Sequence, residues 1–349
     1  MIGPGAALAV GFEGTAIPDD VVDLAASDGL GGVVLFTRNC PTAETVFTLT
    51  RAVRALGPDV LVLVDHEGGR VHRLPPPFTR FPPAAVVGRA GDPALAGAVA
   101  RAMARELRAA GFDSGLAPVL DCLTEPACAV IGDRAFGRDP EVVSACGEAF
   151  VRAVLAEGLI PVAKHFPGHG RTRVDSHRAL PELDVSIAAL EAVELVPFDR
   201  ALRAGCPAVL VAHVRYPRLD PEWPASMSRW AIGDLLRGRL GFEGLVLSDD
   251  LEMQAVAGTW GVGPAAARFL AAGGDLALVC REAGARAEAV AAVRGALNQG
   301  RLTLDRGQAR RAALRARVAA AGPPPDPAVI GSLEHRELAE EVARRGGER

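Results

Sequence analysis

Short, nearly unbroken apolar runs recur along this chain, and each is followed by a longer stretch in which Ala, Leu and Val return every three or four positions. The runs read ALAVGF (7–12), GGVVLF (31–36), VLVLVD (60–65), GLAPVL (115–120), LIPVAK (159–164), AVLVAH (208–213), GLVLSD (244–249) and DLALVC (275–280). A continuous apolar run, as opposed to an alternating one, predicts a parallel strand buried on both faces. The three-to-four spacing predicts helices over 42–56, 95–111, 141–157, 187–204 and 282–298. Pro18-Asp19-Asp20 opens an earlier helix, and Ser228 opens one around 229–239. Eight β-then-α units in about 300 residues predict an α/β fold, a TIM-like (β/α)8 barrel, over a doubly wound sheet. The first strand-to-helix turn, GFEGTAIP, has no GxGxxG dinucleotide fingerprint, which argues the same way.

The barrel is expected to occupy residues 1–321 as a single domain. GPPPDPAVIGSLEH (322–335) and the charged EHRELAEEVARR that overlaps its end predict a short C-terminal extension over 322–349. That extension reads as a proline-rich strap with an exposed helix, carrying no chemistry.

Composition narrows the class of partner. The chain has 349 residues, 49% of them hydrophobic, and a formal net charge of -4. No basic field points to nucleic acid or to an anionic membrane. The six cysteines (40, 122, 128, 146, 206 and 280) form no CxxC pair, so buried reduced thiols are expected. The first residues, MIGPGAALAVGFEG, lack a basic leader region, and no apolar stretch reaches the ~18 residues of a membrane span. A cytoplasmic monomer acting on a small or extended ligand, without membrane contact, fits this balance.

Polar chemistry gathers at one end of the predicted strands. DHEGGRVHR follows the third run, a long loop bearing IGDRAFGRDP the fourth, KHFPGHG the fifth, HVRYP the sixth and SDDLEM the seventh. A barrel places its active site at that C-terminal end. The segment KHFPGHGRTRVDSH (164–177) alone holds three of the seven histidines. His165 and His169 are four apart, but Pro167 and Gly168 between them break the helix that would align them as a metal pair. The Glu of an HExxH signature is also absent. A metal assembled from separate strands remains an alternative. Asp175 and His177, two apart, project to one side of an extended chain, where the carboxylate can orient the imidazole as a general acid/base. A solvated Asp-Ser-His turn would contain the same residues. Asp249, at the end of a buried strand, must be hydrogen-bonded to stay charged and suits a nucleophile or a cation stabiliser. Asp250 points the other way and fits a helix N-cap.

Taken in order, DHEGGRVHR, IGDRAFGRDP, KHFPGHG, DSH, PASMS and SDDLEM resemble glycoside hydrolase family 3 over roughly residues 5 to 320. The match is to its bacterial β-N-acetylglucosaminidase subgroup, which acts on peptidoglycan fragments. The resemblance implies a TIM-like barrel and a retaining mechanism through a covalent glycosyl-enzyme, with neither cofactor nor metal. It makes Asp249 the nucleophile, His177 the general acid/base and Asp175 its partner. Asp65, Arg73, Arg134, Lys164 and His165 match the positions that hold the terminal N-acetylglucosamine. His213 is a further candidate for sugar contact, and His169 is expected to shape the loop. The implied partner is an N-acetylglucosamine-containing glycan or muropeptide.

Arg171 and Arg173 depart from the small or acidic residues of related sequences, which makes an acidic group on the leaving side of the substrate an expectation. The C-terminal segment resembles the start of the connector to a second domain in larger family members. Three alternatives stay open: a phosphorylase using the same site, a metal-dependent barrel hydrolase, and a sugar-binding protein without turnover.

Overall fold

The computed structural model describes residues 2–176 and 178–347. Seven of the eight predicted runs form strands: β1 (Leu8–Val10), β2 (Gly32–Leu35), β3 (Leu61–Val64), β4 (Val162–Phe166), β5 (Ala208–Val211), β8 (Leu245–Asp250) and β9 (Leu276–Val279). A short antiparallel hairpin, β6 (Arg215–Tyr216) and β7 (Asp220–Pro224), lies between β5 and β8 in the chain. The seven make one sheet in the order β3-β2-β1-β9-β8-β5-β4, parallel throughout.

The fourth run, 115–120, is the exception to the expected count. Leu116 has a φ of +49°, in the left-handed region, and Pro118 has no N–H to donate, so the stretch cannot run as a regular strand. It nevertheless bonds to both sheet edges. Asp113 N donates to Val62 O at 2.8 Å and His66 N to Gly115 O at 2.9 Å beside β3. On the other side Val162 N donates to Ala117 O at 2.8 Å and Leu120 N to Lys164 O at 2.6 Å. The irregular segment therefore spans the gap between β3 and β4. Strand β4 also extends further than the apolar run, so Lys164 and His165 are strand residues and the loop begins at Pro167.

Alternate strand residues face two apolar layers, as the period of two requires. Val34, Leu63, Leu210, Leu247 and Leu278 pack with Leu116 inside the curl. Val33, Leu35, Val62, Val64 and Val211 pack outward against the helices. Helix Asp305–Ala320 packs Leu314 and Val318 against the inner layer. The predicted helices Ala43–Ala55, Pro93–Ala109, Pro140–Ala156 and Ala283–Asn298 all form. Asp92 and Asp139 cap two of them, each ahead of a proline that needs no N–H partner in the first turn. The stretch 187–204 splits into Ile187–Ala192 and Leu195–Arg203, because Pro197 cannot donate back to the preceding turn. Trp230–Arg239 is wound as a π-helix.

Two aspartates lock the end of the sheet opposite the strands' C-termini. Asp113, fully buried, accepts from Val62 N and from Arg54 and Arg315. Asp275 accepts from Val246 N, Arg237 and Arg310. Arg310 and Arg315 both come from helix Asp305–Ala320, so the pair pins that helix under the sheet.

The C-terminal helix Leu333–Arg345 is docked, contrary to the expectation of an exposed one. His335 and Val342 are buried, and His335 Nδ1 lies 2.7 Å from the buried Glu106. Glu106 also accepts from Thr79 N, Thr79 Oγ1 and Gly331 N. All six cysteines are buried and unpaired. Among the described residues no helix is long and apolar enough to cross a membrane.

Replacing Asp113 strands two arginines and a strand N–H. Asp113→Ala is expected to lower unfolding free energy by about 3–5 kcal/mol, measured by urea titration against wild type. A loss below 1 kcal/mol would show that the clamp is not structural.

Candidate active site

The strands' C-terminal ends surround a cavity of about 470 Å³, within the size range of small-ligand sites. Its floor is an ionic cluster. Asp65, the residue after β3, accepts from Arg73 at 2.7 Å and from Lys164 of β4 at 3.0 Å. Glu67, two residues on, receives Arg134 through both oxygens, at 2.7 and 2.8 Å, and Lys164 at 2.5 Å. Lys164 is only 3% exposed, so its ammonium is tenable there only between these two carboxylates. Burial works against the charge on Asp65, yet Lys164, Arg73 and Arg134 hold its carboxyl far below the usual carboxylate range. Burial opposes the charge of Glu67 as well, and Arg134 and Lys164 lower it in the same way. Despite burial, Glu67 raises Arg134, and Asp65 and Glu67 raise Lys164.

His165, next to Lys164 on β4, sets its Nε2 3.2 Å from Arg134 Nη2 and its Nδ1 2.7 Å from Asp121. Asp121 follows the irregular segment 115–120 directly. Its second oxygen accepts the backbone N–H of His169 at 2.6 Å. The His169 ring in turn bonds Thr172 Oγ1 at 2.8 Å and Ser176 Oγ at 3.0 Å, which ties the loop from 168 to 176 into one unit. Burial lowers His169 to about 4, so it is neutral near pH 7 and acts as a strut. Tyr216 donates to Gly168 O from the β6–β7 hairpin. Asp175 and Ser176 of this loop line the cavity.

Asp249 also lines the cavity, near the C-terminal end of β8, with its Oδ1 accepting from Asp250 N at 2.9 Å. Burial would raise it, but His165 and His213, with that backbone N–H and Lys164, hold it below the ordinary aspartate value. An ionised carboxylate facing a sugar-sized cavity beside a cationic floor can attack a carbon or stabilise a cation. Asp250 differs: burial, with Glu252 and Asp249 beside it, pushes it up to about 7. Its Oδ1 accepts from Glu252 N and Cys280 N.

The cavity thus unites Asp65, Arg73, Arg134, Lys164, His165, Asp175 and Asp249. The general acid/base candidate His177 lies outside the described residues. His213 is displaced from its expected part. It is fully buried, absent from the cavity lining, and bonded to Ser226 Oγ and the Asp250 carbonyl, where it braces the end of β8. Arg171 and Arg173 are each 2.7 Å from a carboxylate of the protein itself, Glu194 and Glu125; Arg171 ties the loop to the buried Glu194, while the Arg173 side chain stays exposed. Both ring nitrogens of His169 are engaged by hydroxyls, which removes it from any metal pair with His165. Among the described residues no group of His, Cys, Asp and Glu is arranged to hold a metal ion.

Comparison with known proteins agrees with this geometry. Residues 8–316 match the model of the glycosyl hydrolase family 3 N-terminal domain. The chain belongs to glycosyl hydrolase family 3. It is a glycoside hydrolase by that membership. A β-hexosaminidase from Chromobacterium violaceum is 46% identical over 260 residues, 72% of this chain and 72% of its own. One from Neisseria gonorrhoeae is 42% identical over 72% of this chain and 71% of its own. Among solved structures, a family 3 β-N-acetylglucosaminidase from a Paenibacillus species superposes with a TM-score of 0.93 at 35% identity, over 98% of this chain and 68% of that one. The Neisseria gonorrhoeae protein NagZ in complex with N-trifluoroacetyl-D-glucosamine gives 0.81 at 33% identity, covering 99% of both chains.

Three residues of this family 3 site escaped the reading of the sequence. Glu67 stood inside DHEGGR, and its spacing of two from Asp65 was the available signal. Asp121 sat at the end of the fourth run, where chemistry was expected. His66, buried and lowered to about 3 chiefly by that burial, accepts Arg73 N through Nδ1 and so aims Arg73; it stood between Asp65 and Glu67 in the same motif.

Lys164 supports two depressed carboxylates, so its removal should be felt most where they are ionised. Lys164→Met is expected to lower stability by about 3 kcal/mol at pH 7. A depressed carboxylate contributes stability above its unfolded pKa and loses it as pH falls toward the folded one. The deficit should therefore shrink below about pH 4, read by urea titrations across pH. A deficit independent of pH would contradict the charge argument.

Proposed function

We propose that this enzyme is a retaining β-N-acetylhexosaminidase that releases terminal β-linked N-acetylglucosamine from peptidoglycan-derived or similar glycans. The fold in this reading is a TIM-like (β/α)8 barrel over 1–321, its fourth strand irregular, with 322–349 as a proline-rich strap and C-terminal helix. The observation that carries it is Asp249 in the lining of the cavity that also holds Asp65, Lys164 and Arg134, its carboxyl held below the ordinary aspartate value. Asp249 attacks the anomeric carbon to form a covalent glycosyl-enzyme, which water then resolves. His177, oriented by Asp175, protonates the leaving oxygen and afterwards takes the proton from water. Asp65 accepts from sugar hydroxyls while Arg73, Arg134 and Lys164 donate to sugar oxygens, and His165 completes the sugar side. The relatives' names and the N-trifluoroacetyl-D-glucosamine bound in the Neisseria structure support this substrate class. No cofactor takes part, and the reading includes a cytoplasmic monomer.

The decisive assay is nitrophenol release from the N-acetyl-β-glucosaminide. Asp249→Ala is expected to cut kcat/KM by at least about 10³-fold, and His177→Ala by about 10²- to 10⁴-fold. Because Asp249 is held below its ordinary value, the acid limb of kcat/KM is expected below about pH 4. An active Asp249→Ala enzyme, or an acid limb above pH 5, would refute the assignment. Formation of sugar 1-phosphate on adding phosphate would make the enzyme a phosphorylase of the same site.

A further inference from the structure

Asp121 is fully buried and does not line the cavity, yet it holds two parts of the site at once. Its Oδ2 meets the backbone N–H of His165 at 3.3 Å and the ring Nδ1 at 2.7 Å, and its Oδ1 takes the backbone N–H of His169 at 2.6 Å. Burial works against its charge, but His165 and His169 keep its carboxyl below the ordinary aspartate value. A carboxylate only accepts, so Nδ1 of His165 carries the proton. Across the ring, Nε2 faces Arg134 Nη2 at 3.2 Å. A guanidinium only donates, so Nε2 must accept. The two partners lock His165 as the Nδ1–H tautomer. On the other arm, the anchored His169 bonds Thr172 and Ser176, and Ser176 adjoins Asp175.

Building on the retaining-hydrolase reading, we propose that Asp121 is a positioning residue for both halves of the reaction. It sets the His165 tautomer on the sugar side and seats the Asp175 arm on the leaving-group side.

Asp121→Asn tests this, because an amide offers one accepting oxygen where both sides need one. If its nitrogen faces His165, the ring must become Nε2–H and its proton confronts Arg134. If it faces His169, the loop loses its anchor. Asp121→Asn is expected to lower kcat/KM by about 10- to 100-fold, as for other residues that orient a functional histidine. The loss should be selective. A raised KM marks the His165 side. A larger loss on the phenyl than on the 2,4-dinitrophenyl N-acetyl-β-glucosaminide marks the loop side, since a good leaving group needs no proton donor. Either signature supports the proposal. No loss, or an equal loss in kcat on both glycosides at unchanged KM, overturns it. Should Asp121→Asn not fold, long-range proton–nitrogen correlations on the wild-type enzyme decide: an Nε2–H tautomer at His165 overturns the proposal, an Nδ1–H tautomer supports it. Asp249→Ala in the same assays keeps the two readings apart. Turnover there would sink the hydrolase mechanism and leave the tautomer result standing.

Discussion

A lysine with almost no access to water is the constraint around which this active site is built. Lys164 can keep its charge only because Asp65 and Glu67 face it from the end of β3, and they can be charged together only because Arg73 and Arg134 stand on their far sides. Counting the five groups leaves one excess positive charge on the floor. Its Lys164 is one of the groups, after His165, His213 and the Asp250 N–H, that hold Asp249 below the ordinary aspartate value although burial opposes it. In the proposed mechanism this floor would present donors to a polyhydroxylated ligand beside the carboxylate proposed to attack it.

The cluster draws on β3, β4 and the loop at Arg134, so it exists only if β3 and β4 stand side by side with something between them. The irregular segment 113–120 does this. A regular strand would have run straight past. The turned Leu116 and the donor-free Pro118 bring the chain out at Asp121, directly beneath His165. From there order passes to the loop at 168–176. Gly170 permits this approach, because a side chain there would run into Cys122 O. Gly168 leaves room for Glu194, the partner of Arg171. The loop is therefore not a loose lid at its base. It is held by Asp121, Tyr216, Glu194 and the His169 ring, and these anchors fix where Asp175 meets the cavity.

Much of this was legible in the residues alone. Unbroken apolar runs located seven strands, because a strand buried on both faces leaves no room for alternation. The rule that barrels work at their strands' C-terminal ends then gathered Asp65, Lys164, His165 and Asp249 before any coordinate was known. Residue type at a strand end or in a loop does not tell which polar groups find partners within the chain. His213 carried the right residue type at a strand end, but its ring is turned behind the wall to brace Asp250. Arg171 and Arg173 offered charge for a substrate and found carboxylates of the chain itself.

What the sequence by itself determined is what depends on local spacing: apolar periodicity, helix caps, and the strand ends on which acids, bases and histidines fall. What only the tertiary structure decided is pairing across distance. Asp121 and His165 are 44 positions apart, Glu67 and Arg134 67, and Glu106 and His335 229. No pattern of neighbours encodes such pairs. A buried charge must find an opposite one wherever the folded backbone brings it, and the free energy of leaving it alone selects the partner.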